Sequence, residues 1–400
     1  MSGLPDRLTH DHDKFVDRIT EVRLVLDLVQ RLLLGEPSDR RTVIFHGQRG
    51  AGKSWLLREI AFRLANKESG LTLYLDLADF TGQEPHDAIQ TVIQRVHQPV
   101  AETIGSAAVS LHATNDLDQL AEWLVADVKQ MPGALVVLLD HVDESHKALL
   151  EALEDHLLGP LVGVPEVLLI LAGRGKEYIW KGPELRIRSQ ECDLRHFEPS
   201  DTQEQLEKQV PQPTPPADEI QQLSGGYPWS NYILGVNRDD RIAALEQCIT
   251  NLIGDWLNRS DPPADRACLD ALCVLRAFSD AMIPFMLGAY SDDSVYQTWE
   301  YRRYRQIRQS LLQTTLAKWD EPSGGYVIDQ ALRRVLEHWL YEKHREVWTR
   351  LHTAARDLFD EWASKYPRTA ARWRKETTYH DGKLAHGPSW SLENQEEEEK

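Results

Sequence analysis

Cysteine is scarce in this sequence of 400 residues, which holds only four. None of them forms a Cys-x-x-Cys pair or pairs with a histidine at metal-ligand spacing, so the sequence indicates neither a disulfide framework nor a zinc site. We expect reduced, mostly buried thiols. The cysteines are Cys192, Cys248, Cys268 and Cys273.

Long apolar runs and a secretion signal are also missing. The longest apolar runs, 134–139 and 167–172, are far too short to cross a bilayer. Residues 1–18 mix acidic and basic side chains and contain no apolar stretch of the kind that a signal peptide needs. We therefore expect a cytoplasmic protein with no membrane partner.

Positive charge is in short supply, because 45 lysines and arginines face 63 aspartates and glutamates, for a net charge of −18. Binding to DNA or RNA draws on Lys and Arg side chains that release counterions from phosphates. The composition therefore disfavours a nucleic-acid partner, although it leaves room for a local basic patch. With 42% hydrophobic and 27% charged residues, the chain is globular and long enough for two or three domains.

The residues that are present point first to 43–54, Val-Ile-Phe-His-Gly-Gln-Arg-Gly-Ala-Gly-Lys-Ser, where a β-branched strand passes through a glycine loop into a helix. Gly47, Gly52, Lys53 and Ser54 fill the pattern G-x-x-x-x-G-K-[ST]. In such a loop the backbone N–H groups wrap nucleotide phosphates, the lysine reaches the β- and γ-phosphates, and the hydroxyl ligates Mg²⁺. The remaining residues assigned to this nucleotide site are Gln48, Arg49, Gly50, Ala51 and Trp55.

Short apolar runs joined by helical segments predict a parallel sheet covered on both faces. After the glycine loop the runs are 71–75, 134–139 and 167–172, with a last strand near 191–194. This organisation predicts an α/β nucleotide-binding core that ends at about residue 200.

The strand predicted over 134–139 ends in the carboxylate of Asp140, which fits the magnesium-binding partner of a phosphate loop. A second carboxylate just beyond it could orient or deprotonate the attacking water, and both Asp143 and Glu144 are available. We favour Asp143 slightly. Arg174 follows the next predicted strand, where a cation could sense the charge of the γ-phosphate, and a structural salt bridge is the alternative for this arginine.

With these motifs in place, the sequence resembles the STAND class of AAA-like P-loop NTPases, the signal-transduction ATPases that include NACHT and NB-ARC proteins. Phe15, Val16 and Arg18 are similar to the Phe-Val-Gly-Arg motif at the start of the class's ATPase module, with Asp17 in place of glycine. The run ending in Asp140 and Asp143 resembles its Walker B motif, and Arg174 its sensor arginine. Residues 194–199 resemble the end of the class's ATPase core. Pro228, in Gly-Tyr-Pro, matches a proline that packs on adenine in the class.

The resemblance extends into the second half of the chain. A predicted hairpin around 318–328 and the residues after it resemble a STAND winged helix, with Ile328 where many relatives carry a histidine that contacts ADP. We expect an ATPase core over 1–200, a helical lid over 201–258 and a winged-helix domain over 259–345. C-terminal helices over 346–393 and a disordered acidic tail over 394–400 follow. The expected fold class is an α/β P-loop NTPase of the ASCE or AAA type with a three-layer parallel core.

The resemblance implies a slow, regulatory ATPase that binds ATP or ADP with Mg²⁺, forms homo-oligomers in its ATP state and acts on a protein effector or sensor, in bacterial defence or regulated signalling. Two alternatives stay open. One is a DNA-loading ATPase resembling the origin-recognition family, against which the net charge argues. The other is a scaffold that holds nucleotide without hydrolysing it, against which the intact Lys53, Ser54, Asp140 and Asp143 argue.

Overall fold

The structure is a computed structural model. It describes residues 10–36, 39–65, 70–105, 114–142, 145–174, 180–212, 214–259, 265–291, 296 and 299–389. The chain divides into two compact units, the first ending at Arg195 and the second beginning at His196. The finer division of the second half into lid, winged helix and C-terminal helices stays a prediction.

The first unit contains a five-stranded parallel sheet with the strand order β2-β3-β4-β1-β5. The strands are β1 (Thr42–His46), β2 (Gly70–Asp76), β3 (Ala134–Asp140), β4 (Val167–Gly173) and β5 (Ser189–Asp193). Strands β1, β3 and β4 are buried along their whole length, as expected for a sheet covered on both faces. The predicted parallel sheet is confirmed. Because all strands run in one direction, their carboxyl ends meet at one edge.

Helices cover both faces of this sheet, which gives three layers. The helices of this unit are α1 (Ile19–Leu33), α2 (Lys53–Ala65), α3 (Pro85–Ile104), α4 (Leu117–Val128), α5 (Lys147–Leu153), α6 (Gly159–Val162) and α7 (Pro183–Arg188). A π-helical turn over Glu154–Leu158 joins α5 to α6. Alternate residues of β3 enter opposite cores: Val136 packs with α1 and α2, whereas Val137 packs with α3 and α4. Burial of these apolar side chains is the main force that holds the layers together.

Among its described residues, the second unit has helices and one antiparallel hairpin of β6 (Ala317–Asp320) and β7 (Gly325–Ile328). Its helices are α8 (Pro199–Gln209), α9 (Ala217–Ser224), α10 (Pro228–Val236), α11 (Arg241–Arg259), α12 (Arg266–Leu272), α13 (Met282–Tyr290), α14 (Tyr301–Gln313), α15 (Gln330–Lys343), α16 (Arg345–Lys365) and α17 (Ala370–His386). Phe278, between α12 and α13, exchanges two backbone hydrogen bonds of 2.8 Å with Tyr326 of β7. This bridge ties the hairpin to the helices before it.

Helices α15 and α16 are separated by a single residue, because α15 ends at Lys343 and α16 begins at Arg345. His344 between them has φ −134° and ψ 54°, outside the helical region. The four cysteines are free thiols, as expected, and only Cys192 is not fully buried. No helix in the described ranges has both the length and the apolar character that a bilayer crossing requires.

Candidate functional site

The glycine loop between β1 and α2 has the conformation that its sequence demands. Gly50 and Gly52 have φ values of +92° and +90°, which L-residues rarely adopt. At Gly47 a Cβ atom would lie 2.9 Å from the Cβ of Ala51, so a larger residue would push the loop apart. The glycines therefore allow the sharp backbone turns that a phosphate-binding loop needs.

Lys53 and Ser54 open helix α2 directly after this loop. The Lys53 ammonium donates hydrogen bonds to the carbonyl oxygens of Gly47 at 2.6 Å and Gln48 at 3.0 Å, and only 8% of the residue is exposed. The amine is thus folded over the loop, and Ser54 is half-buried beside it. Arg49 and Trp55 lie on the outside of the loop and helix, and both are exposed.

The segment before α1 is anchored to the same loop. Phe15 and Val16 are buried, and Phe15 belongs to the core formed with α1 and α2. Arg18 is 3% exposed and donates from Nη2 to the carbonyl oxygen of Ala51 at 3.2 Å. Its backbone has φ +60°, a left-handed conformation held at the start of α1. The structure therefore brings the predicted Phe15–Arg18 motif to the phosphate loop.

Asp140 ends β3 at the same edge of the sheet, and its side chain is fully buried. Strand β4 lies between β3 and β1, so Asp140 and the glycine loop are separated by one strand, whose last residue Gly173 pairs with His46. Arg174 follows Gly173 at this edge and is half-buried. The residues Asp143 and Glu144, both predicted to act on water, lie outside the described residues.

Around Asp140 the structure places three polar side chains that the sequence analysis missed. The Tyr74 phenol donates to Asp140 Oδ2 at 2.7 Å, and the His141 N–H donates to Asp140 Oδ1 at 2.9 Å. The His141 ring nitrogen Nδ1 lies 2.8 Å from Asp76 Oδ1 and 3.7 Å from Asp140 Oδ2. Asp76 and Asp140 are register partners in adjacent strands, which is what brings these groups together.

The electrostatics of this cluster shift the pKa values of Tyr74 and Asp76 in opposite directions. Burial, reinforced by the neighbouring Asp140 carboxylate, raises the pKa of Tyr74, so its hydroxyl stays a donor. Burial alone would raise the pKa of Asp76, but the hydrogen bonds from His141 and the Ala78 N–H, together with the positive charges of His141 and Arg58, outweigh it and the pKa is lowered. The ligand atoms of Asp76, Asp140 and His141 lie within 4.8 Å of one another.

These residues fit a magnesium ion. Mg²⁺ prefers oxygen ligands and is held in nucleotide sites by one or two protein groups together with phosphates. The Ser54 hydroxyl and the Asp140 carboxylate supply that chemistry at one edge of the sheet, and Asp76 adds a second carboxylate beside Asp140. The chemistry of these donors therefore suits Mg²⁺.

A second polar cluster pins the N-terminal segment to α2. The Glu59 carboxylate, fully buried, is reached by His10 Nε2 at 2.7 Å, His12 Nδ1 at 2.9 Å and Arg63 Nε at 2.5 Å. Its pKa is lowered because these three donors outweigh the effect of burial. The histidines and the carboxylate have metal-ligand chemistry, but the Arg63 guanidinium already neutralises Glu59, so the contacts form a hydrogen-bonded cluster. The spacing of the histidines in the sequence did not predict this cluster.

Pro228 belongs to the second unit, where it is buried at the first turn of α10. Gly226 just before it has φ +79°, and a Cβ there would lie 2.1 Å from the carbonyl oxygen of Phe197. The Gly226 carbonyl in turn accepts from the Phe197 N–H at 2.7 Å. Gly226 is therefore required by close backbone packing. The contact between Pro228 and adenine stays a prediction.

Comparison with known proteins identifies a family that matches part of this chain. The family model described as "NACHT domain" matches residues 41–213, which span β1 to α8. This part of the chain is a NACHT domain, so the resemblance to the STAND class of P-loop NTPases is confirmed for it. No curated protein matches the sequence.

Several solved structures are similar at low sequence identity. The ORC1 protein of Aeropyrum pernix, determined in complex with DNA, is 17% identical with a TM-score of 0.40, covering 85% of this chain and 95% of that chain. A Signal Transduction ATPase with Numerous Domains (STAND) protein with a tetratricopeptide repeat sensor from Pyrococcus horikoshii is 13% identical with a TM-score of 0.38, covering 90% and 52%. The RuvB Holliday junction branch migration motor of Thermotoga maritima is 14% identical with a TM-score of 0.37, covering 80% and 95%.

Proposed function

We propose that this protein is a STAND-type switch that binds ATP with Mg²⁺ and hydrolyses it slowly. The observation that carries the proposal is the conformation of the glycine loop in a NACHT domain. There the Lys53 ammonium is held by the Gly47 and Gln48 carbonyls, and the buried Asp140 lies at the same edge of the sheet. A lysine and a carboxylate positioned in this way are what a nucleoside triphosphate with a divalent cation needs.

In this proposal each residue has a defined task. Backbone N–H groups of the glycine loop bind the phosphates, apart from those of Gly47 and Ala51, which donate to the carbonyls of Gly173 and Gln48. Lys53 exchanges its carbonyl partners for phosphate oxygens. Ser54 and Asp140 hold the Mg²⁺, which when bound offsets negative charge on the β- and γ-phosphates. Tyr74 fixes the rotamer of Asp140 by its hydrogen bond. Asp143 or Glu144 orients the attacking water, and Arg174 contacts the γ-phosphate.

The switch follows from a difference between ATP and ADP. Only a ligand that contacts two states differently can shift their populations, and the γ-phosphate is the group that differs. In the proposed mechanism the ATP state changes how the domains of the second half dock, including a winged-helix domain formed by α12–α14 and the β6–β7 hairpin. That state then assembles into homo-oligomers and activates a protein effector in the cytoplasm.

Calorimetry of ATP binding tests the nucleotide site. Lys53→Ala should lose most of the affinity, because the Lys53 ammonium lies on the carbonyls of Gly47 and Gln48, beside the proposed phosphate site. Lys147→Ala is the matched control, since the Lys147 side chain on α5 is 81% exposed and, among the described residues, pairs only with Glu151. Equal ATP affinity of Lys53→Ala and the control would overturn the assignment.

Light scattering tests the switch. The solution mass is measured with ADP and then with Mg²⁺ and a non-hydrolysable ATP analogue. A mass increase with the analogue alone, absent in Lys53→Ala, is the expected result. A mass that is the same with both nucleotides would leave nucleotide binding standing but contradict assembly gated by the γ-phosphate alone.

A further inference from the structure

We propose that the solvent face of helix α14 binds double-stranded DNA in the major groove. The helix runs from Tyr301 to Gln313 with the sequence YRRYRQIRQSLLQ, so it carries four arginines and three glutamines but no aspartate or glutamate. Helix α14 is therefore positively charged within a chain whose net charge is −18. The acidic composition that argues against a nucleic-acid partner is an average over the whole chain. The charge of α14 differs from that average.

Two of the four arginines and two of the three glutamines lie on one exposed face. Tyr304, Ile307 and Leu311 are buried and point α14 toward the core of its unit. The exposed positions on the opposite side recur every three or four residues, which places them in one row along the helix. They are Arg302, Arg305, Gln309 and Gln313.

Two of the four arginines contact other described side chains, and two do not. Arg308 pairs with Asp280 at 2.8 Å, and Arg303 lies over the Trp299 ring at 5.2 Å. Arg302 and Arg305, by contrast, make no ion pair, side-chain hydrogen bond or ring contact with any described residue. An acidic protein that leaves two neighbouring guanidinium groups free on one face carries a site suited to a polyanion.

The side-chain types favour duplex DNA over other polyanions. Arginine pairs with guanine O6 and N7, and glutamine with adenine N6 and N7, on edges that the major groove exposes. A 13-residue helix is about 20 Å long and fits that groove, which is about 12 Å wide. Single-stranded nucleic acid would instead need a row of stacking aromatic side chains, and on this face Tyr301 is the one exposed aromatic residue.

The contact belongs to the helix rather than to the tip of the hairpin. Lys318 in β6 is exposed, but the turn that follows contains Asp320 and Glu321. Asp320 accepts a hydrogen bond from the Ser323 N–H at 2.9 Å, which holds its carboxylate at the turn. These negative charges would repel phosphates, so Arg302 and Arg305 carry the electrostatic part of the interaction.

The test is fluorescence anisotropy of the full chain with a labelled 30-base-pair duplex of random sequence, measured over a range of salt concentrations. The wild type should bind at low salt, and Arg302→Ala/Arg305→Ala should bind at least tenfold more weakly. Because each lost phosphate contact lowers the slope of log K against log salt by about 0.9, the slope should fall by about two. Arg302→Lys/Arg305→Lys should retain most of the affinity, which separates lost charge from misfolding.

The control removes the same charge elsewhere. Arg374 and Lys375 are exposed neighbours on α17, so Arg374→Ala/Lys375→Ala should bind DNA within twofold of the wild type. DNA affinity is measured in the absence of nucleotide, which keeps this result separate from the nucleotide site. Absence of binding at low salt, or equal losses in both alanine pairs, would overturn the proposal. The proposal is also overturned if Arg302→Ala/Arg305→Ala changes the solution mass and leaves the DNA affinity unchanged. That result would assign α14 to a contact between copies of the chain.

Discussion

The Tyr74 phenol and the Asp140 carboxylate are joined by a hydrogen bond of 2.7 Å between residues that lie on neighbouring strands, 66 positions apart. Asp140 is fully buried, and its other oxygen accepts from the His141 N–H. Both carboxylate oxygens are therefore oriented by the protein before any ligand arrives. Preorganisation of this kind lowers the cost of placing a charge where a cation must bind.

Tyr74→Phe should lower the free energy of unfolding by about 1 kcal/mol, because the buried carboxylate loses a donor that water cannot readily replace. Urea denaturation measures the change. Tyr232→Phe serves as the control, since the Tyr232 hydroxyl makes no hydrogen bond to any described part of the chain. A Tyr74→Phe variant as stable as the wild type would show that this hydrogen bond contributes nothing to the fold.

His141 has φ +54°, a left-handed conformation that costs about 1–2 kcal/mol for residues with a Cβ. His141→Gly loses the hydrogen bond to Asp76 but relieves this strain, whereas His141→Ala loses the bond and keeps the strain. We therefore expect His141→Gly to be more stable than His141→Ala by about 1 kcal/mol in urea denaturation. The reverse order would mean that residue 141 does not hold the left-handed conformation.

Asp143→Asn should leave ATP affinity intact while slowing turnover, because the side chain is predicted to orient water rather than to bind phosphate. Calorimetry and phosphate release measure the two effects separately. If Glu144→Gln alone abolishes turnover and Asp143→Asn does not, the water-orienting role belongs to Glu144.

The second unit contains three buried histidines that should make its stability depend on pH. Burial lowers the pKa of His338 to about 4 and also lowers the pKa values of His352 and His380. The neutral forms are thus favoured in the folded state, so their contribution is complete above the unfolded pKa of about 6.5 and is lost as the pH falls. Each such group reduces the free energy of unfolding by about 1.4 kcal/mol per pH unit in that window.

Urea midpoints between pH 7.5 and 5 test this dependence, with tryptophan fluorescence as the signal, since Trp348 packs on His352 with ring centroids 4.4 Å apart. His380→Leu should reduce the slope, and His86→Gln, at an exposed position on α3, should leave it unchanged. A flat stability profile over this range would contradict the buried neutral state of the three histidines.

The strands and the phosphate loop were predictable from sequence because their signals are local. An apolar run such as 134–139 and the spacing of Gly47, Gly52, Lys53 and Ser54 are set by neighbours in the chain. The break at His344 carries no such local signal, since no glycine or proline marks it.

The polar clusters were unpredictable for a different reason. Tyr74 and Asp76 meet Asp140 and His141 only because β2 pairs with β3 in one register. His352 and His380 likewise face each other at 2.9 Å through their Nδ1 atoms, so that one ring carries its proton on Nδ1 and the other does not. Sequence places such residues on elements, but only tertiary packing brings the elements together.

The hydrogen bond from Arg18 to the carbonyl of Ala51 links the start of the first unit to the loop that is proposed to wrap the phosphates. A peptide plane that rotates at Ala51 would break or re-form this hydrogen bond. Because His10 and His12 hold the same segment on Glu59 of α2, a fluorophore attached at the exposed residue 13 would report whether the segment keeps its place when nucleotide arrives, without touching the binding residues themselves.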